Sequence, residues 1–176
     1  MALPPGILGP GGVGVIDTMI GFPDKDFAVY DFIRNQLKDG ESTDFEFPVE
    51  YMFKNVPKEL YGVDADPVEV TLGEMDRFGI QYGLIGADGE QGQKALTDHP
   101  DRFIGSANVD PNDVMGEVRK NRRLKDEWDI RAVGTFPVGC TPQVAIDDPK
   151  YYPIYSTCCE LDIPIFVCAG VPGPRL

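Results

Sequence analysis

The chain has 176 residues, of which 16 are Lys or Arg and 29 are Asp or Glu, so its formal net charge is −13. That length holds one domain with a real core but falls short of the ~250 residues that a complete eight-fold β/α barrel needs. The acidity argues against nucleic acid or an anionic membrane as partner, because both select basic surfaces. No apolar run approaches the ~18 residues of a membrane span, and the opening residues lack a secretory leader pattern, so the expected setting is cytoplasmic.

One histidine, His99, cannot build a His-rich metal site. The four cysteines, Cys140, Cys158, Cys159 and Cys168, show no C-x-x-C spacing. They read as buried small hydrophobes in a reducing compartment rather than as a disulfide framework.

Residues 1–12 carry MALPPG and GPGG and are expected to form an irregular, flexible arm, since Pro lacks a donor and Gly loses most entropy on ordering. From Val13 the remainder reads as one α/β domain. Val13, Val15 and Ile16 predict a first buried strand whose polar residues, Asp17 and Thr18, fall at its far end. Asp24 is a plausible N-cap for a helix carrying Phe27, Tyr30, Ile33 and Leu37 on one face. Residues 41–66 mix acidic and aromatic residues irregularly, and read either as a lid or partner surface or as a small second core beneath a loop.

Regular alternation follows. Asp66-Pro67 pairs an N-cap with proline at the first helical position, with Val68, Leu72 and Met75 inward and Gly79 as the stop. Ile80 to Ala87 is a predicted strand, Glu90 to His99 a helix and Phe103 to Val109 a strand. Asp110-Pro111 opens a long helix with Val114, Val118, Leu124 and Trp128 on one face, and Ile130 to Val138 is the next strand. Asp148-Pro149 opens a helix turning Tyr152, Tyr155, Cys158 and Leu161 inward, and Ile163 to Ala169 is the fifth strand. Crossovers of this length imply parallel strands. Two architectures fit: a partial TIM-type barrel of about five strands, and a flavodoxin-like open five-stranded sheet.

Several stretches in order, VIDTMIGFP, EMDRFGIQYGLI, ALTDHPDRFIGSANVDP, DIRAVGTFP and DDPKYYPIYSTCCELDIPIFVCAGVPGPR, resemble the amidohydrolase-2 (amidohydrolase-related) family of β/α barrels. The resemblance runs over nearly the whole chain from Val13 and matches the first five strands of the eight-stranded barrel. It implies hydrolysis or non-oxidative decarboxylation of a small organic, carboxylated or cyclic substrate. Family members use zinc or another divalent metal, held by an Asp-x-His-x-His motif after the first strand and a His after the fifth. Here Asp17 matches the leading Asp, Met19 and Gly21 stand where the histidines would be, and Cys168 occupies the fifth-strand position. The resemblance therefore implies a protein whose usual metal site is lost, and no cofactor is expected in this chain.

Asp17 is the candidate catalytic group, as a carboxylate base, with a structural hydrogen-bonding role as the alternative. Met19 reads as core filler. Asp88, Asn108 and Phe136 fall at strand ends corresponding to Asp17 and, with Cys168, are candidate substrate contacts. Arg175 is a further candidate, offering a bidentate fork to a carboxylate. Cys168 shows no sequence-near base to activate it, and His99 lies in a turn at the opposite, N-terminal end of a strand. GPGGVG and GADGEQG lack the G-x-G-x-x-G pattern of a nucleotide loop. The expected partner is a small-molecule ligand. On the enzyme reading the chain is expected to be the N-terminal portion of a longer protein with a missing C-terminal half; the second reading is a non-catalytic binding or assembly subunit that buries its open strands and aromatic insertion against a partner or a second copy.

Overall fold

The computed structural model describes residues 14–22 and 65–169. The arm, the Asp24 helix, nearly all of the 41–66 insertion and Arg175 lie outside the described residues.

Five parallel strands form one sheet in the order β1-β2-β3-β4-β5: β1 (Val15–Asp17), β2 (Ile80–Gly86), β3 (Phe103–Val109), β4 (Ala132–Thr135) and β5 (Ile165–Val167). Sequence order equals spatial order. A flavodoxin-like sheet needs its order to reverse beside the first strand, so this topology excludes it. Strands added always on the same side, each after a helical crossover, curl the sheet into half of a β/α barrel.

The helices between them are α1 (Pro67–Phe78), α2 (Glu90–Asp98), α3 (Val114–Trp128) and α4 (Tyr152–Glu160). Asp66 caps α1 by accepting the Val68 N–H at 2.9 Å, and Gly79 ends it in the left-handed region at φ 69°. The other two Asp-Pro pairs behave differently. Asp110 and Asp148 each cap a single 3-10 turn, Pro111–Asp113 and Pro149–Tyr151, and the α-helix follows. Asp113 then accepts the Gly116 N–H at 3.1 Å as the cap of α3.

The extra turn changes the phase of α4. Tyr151, Ile154 and Cys158 are buried, whereas Tyr152 is 58% exposed, which corrects the expectation that Tyr152 points inward. β4 is also shorter than the predicted Ile130 to Val138. Pro137 has no N–H for the ladder, and the chain turns into a 3-10 segment, Pro137–Gly139.

Register separates the two faces of the sheet. Ala107 pairs with Val133 and Val133 with Ile165. These side chains meet Leu124, Ile154 and Cys158 from α3 and α4 in the main core. A second cluster joins Val68, Leu72 and Met75 of α1 to Ile85, Ala95 and Phe103. The opposite, concave face carries the row Asn108, Gly134 and Phe166, one layer above Gly86 and Ser106. Here Ile16 and Phe166 remain 46% and 42% exposed.

Cysteine placement divides. Cys140 and Cys158 are buried as expected, but Cys159 and Cys168 are exposed, the first on the outward side of α4 and the second just beyond β5. Met19 is 84% exposed, so it is not core filler: the packing residue after β1 is Ile20, which occupies the space left open by Gly83.

Candidate functional site

A half-open cavity of about 1230 Å³ lies over the C-terminal ends of the strands and extends along α1. Asp17, Asp88, Asn108, Phe136 and Cys168 all line it, each from the end of a different strand.

Asp17 closes β1. Its Oδ1 accepts the Met19 N–H at 2.9 Å, an Asx turn that folds the carboxylate back onto its own loop. Asp88 follows β2, and its Oδ2 accepts the Asn108 N–H at 3.0 Å, joining the rims of β2 and β3. The Asn108 carboxamide lies across the concave face. Its Oδ1 is 2.8 Å from where a Cβ on Gly134 would be, and its Nδ2 is 3.9 Å from the corresponding point on Gly86. The missing Cβ atoms thus leave room for Asn108 Oδ1 over Gly134 and for Asp88 Oδ1, 2.8 Å from the corresponding point, over Gly86.

Lys120 and Glu117, which the sequence reading did not single out, complete this wall. The Lys120 ammonium donates to the Asn108 carbonyl oxygen at 2.6 Å, lies 2.6 Å from Glu117 Oε2 and is 3.9 Å from Asp88 Oδ2. Two signals were present in the sequence. Glu117 and Lys120 are spaced i, i+3, and the first turns of a helix that follows a barrel strand stand beside the strand's C-terminal end.

Thr135 at the end of β4 was also missed. Its hydroxyl donates to the Val109 carbonyl oxygen at 3.2 Å and lies 2.9 Å from the Tyr151 hydroxyl, fixing β3, β4 and the start of α4 together. Nearby, the Cys140 thiol is pushed up to about 11, first by burial and then by the negative charge of Asp110, which holds it as an unreactive thiol at neutral pH. Cys168 lies beyond β5, its N–H bonded to the Thr135 carbonyl oxygen at 3.0 Å. His99 caps α2 at the opposite end of the sheet, with its ring edge-on to Phe103 and its Nε2 3.6 Å from Glu69.

The positions that would carry a His-ligated metal supply a different set of donors. Asp17 is engaged by a backbone N–H, Met19 lines the cavity with a weak thioether donor, Gly21 has no side chain, and Cys168 offers one thiol. A divalent ion needs several converging oxygen, imidazole or thiolate donors, and this set does not provide them. Among the described residues no group of three or more His, Cys, Asp or Glu side chains is placed to hold a metal ion.

A curled sheet of sequential parallel strands with polar residues gathered around a cavity at the strands' C-terminal ends is the architecture of part of a β/α barrel. The amidohydrolase-2 family model, described as Amidohydrolase, matches residues 39–176, and the chain belongs to that family. Among solved structures, 5-carboxyvanillate decarboxylase from Novosphingobium aromaticivorans, with bound manganese and a nitrobenzoic acid, is similar at 20% identity and TM-score 0.63, covering 87% of this chain and 50% of that one. A 2,6-dihydroxybenzoate decarboxylase from Rhizobium is similar at 20% identity and TM-score 0.51, covering 71% and 47%. An uncharacterised TIM-barrel protein from Bordetella bronchiseptica is similar at 19% identity and TM-score 0.55, covering 92% and 57%. The chain therefore spans about half the length of these structures, and the likeness is one of fold. A search of curated proteins finds no match. Among the described residues no helix is long and apolar enough to cross a membrane.

Proposed function

We propose that this chain forms the ligand-holding first half of an amidohydrolase-type site that acts on a small carboxylated or cyclic organic molecule by hydrolysis or non-oxidative decarboxylation, without the His-ligated metal. The observation that carries this reading is the convergence of Asp17, Asp88, Asn108, Phe136 and Cys168 on one cavity at the strand ends. Family membership and the decarboxylases among the similar structures support the reaction class. In this reading Asp17 takes a proton on the carboxylate oxygen not held by the Met19 N–H, Asn108 is a polar contact, and Phe136 supplies an apolar wall against a ring. Asp88 holds the Asn108 backbone in place.

Metal analysis of the purified protein, together with a screen of benzoic-acid derivatives for loss of carbon dioxide, tests it. Turnover of one such acid with substoichiometric metal, abolished in Asp17→Asn, is the expected result. Stoichiometric zinc or manganese that is lost in Asp17→Asn or Cys168→Ser would overturn the metal-free part.

A further inference from the structure

The polar groups of the described cavity wall can be followed one by one. The carboxylates of Asp17, Asp88 and Asp110 each accept a backbone N–H, from Met19, Asn108 and Asn112. Glu117 is paired with Lys120, and Glu74 with Arg77. The Ser106 hydroxyl donates to the Ile85 carbonyl oxygen at 2.9 Å, and Thr135 is bonded on both sides. Among the described polar side chains on the concave ends of β2, β3 and β4, the Asn108 carboxamide alone has no partner among the described residues. It keeps an N–H₂ donor and a C=O acceptor for a ligand.

Charge narrows the choice of ligand edge. Asp17, Glu74, Asp88, Asp110 and Glu117 line the cavity against one described cation, Lys120. That ammonium is already engaged by Glu117 and by the Asn108 carbonyl oxygen. On the β2–β4 wall an incoming carboxylate would meet Asp88, Asp110 and Glu117 and, among the described residues, no uncommitted cation. A neutral hydroxyl or amide meets no such repulsion. The missing Cβ of Gly134 leaves room for the carboxamide Oδ1, and the space over Gly86 is taken by Asp88 Oδ1, so the carboxamide lies against the sheet beside a carboxylate that favours a neutral or donor edge.

We infer that Asn108 is a specificity-determining residue that pairs with a neutral hydrogen-bonding edge of a planar ligand, a ring hydroxyl or amide, while the ligand's carboxylate is turned away from the β2–β4 wall. The inference rests on the small-organic-acid reading and adds the orientation of the ligand. In this arrangement Lys120 is a positioning residue: it holds the Asn108 carbonyl and the Asp88 rim in place and does not receive the ligand's charge.

Titration of the full chain with 4-hydroxybenzoate and with benzoate, followed by calorimetry, tests the assignment. Wild type is expected to bind the hydroxylated probe ~3- to 10-fold more tightly, as one neutral hydrogen bond allows. Asn108→Ala is expected to remove that preference, weakening 4-hydroxybenzoate more than benzoate. Gly134→Ala keeps the carboxamide but crowds its Oδ1, and is expected to shrink the preference as well. Circular dichroism and the melting midpoint verify that both variants are folded. An equal preference in wild type and both variants would overturn the role of Asn108. Loss of benzoate binding in a folded Lys120→Met would assign the carboxylate to Lys120 and overturn the orientation. Failure of both probes to bind wild type would sink the small-organic-acid reading itself, and this inference with it.

Discussion

The link between Thr135 and Tyr151 makes an asymmetric prediction. Both residues are buried, at 6% and 0% exposure, and the Thr135 hydroxyl has one hydrogen to give. That hydrogen goes to the Val109 carbonyl oxygen, so the 2.9 Å contact with Tyr151 is donated by the tyrosine. Tyr151→Phe removes a donor and leaves Thr135 bonded to Val109, at a cost of about 0.5–1.5 kcal/mol. Thr135→Val leaves a buried tyrosine hydroxyl without its acceptor and the Val109 carbonyl without its side-chain donor, at a cost of about 1–3 kcal/mol. In the double variant the stranded hydroxyl is gone, so Thr135→Val/Tyr151→Phe is expected to be more stable than Thr135→Val alone. Urea unfolding followed by tryptophan fluorescence and far-UV circular dichroism measures all four corners of the cycle. Additive single effects, or a Tyr151→Phe that costs more than Thr135→Val, would refute the assigned direction of donation.

Gly92 allows α2 to lie against the end of β2, where an added Cβ would overlap the Gly86 carbonyl oxygen; Gly92→Ala is expected to destabilise by about 1–3 kcal/mol in urea unfolding, whereas the same change at the unobstructed Gly73 is tolerated. Cys159 and Cys168 should react with Ellman's reagent in the native protein, and Cys140 and Cys158, whose thiols are pushed up by burial, only after denaturation. Asn121 on α3 is fully buried with neither carboxamide atom bonded among the described residues, so Asn121→Leu should raise stability by ~1 kcal/mol in the same unfolding assay. Glu160 is held below its ordinary value of 4.5 by two hydrogen bonds from Arg122; its folded pKa is depressed, so its contribution is present above that value and lost as pH falls through the folded one. Glu160→Gln should therefore flatten the acid limb of a stability-against-pH curve, and unchanged slopes would count against the pairing.

The elements that sequence pattern identified best are those whose signals are local. The Asp66-Pro67 cap, the Gly79 stop and β3 all fall where the pattern put them, because caps and alternation act within a few residues. The Asp148-Pro149 start was recognised, but its 3-10 turn was not, and that one extra turn exchanged Tyr151 for Tyr152 in the core. Strand order, which excluded the open sheet, depends on pairing between distant residues and has no local signature. The same holds for the site. Strand-end counting brought Asp17, Asp88, Asn108, Phe136 and Cys168 to one cavity, whereas Lys120 and Glu117 reach it from a helix whose facing is set by packing.

Sequential strand order also dictates how the sheet is assembled. Gly83 of β2 finds Phe103 of β3 after 20 residues, and Val133 of β4 finds Ile165 of β5 after 32, whereas Val15 of β1 must wait for Ile80, 65 positions on. Closing that longer loop costs about 1 kcal/mol more in chain entropy than closing the β2–β3 loop. β1 is moreover only three residues long and irregular in register between Val15 and Ile16, so it has few ladder bonds to offset the cost. β1, like the equally short edge strand β5, is thus expected to open before the central strands. The β1 amides should exchange with deuterium well before those of β3, so the candidate catalytic carboxylate is carried by a strand that opens while the central wall stays formed.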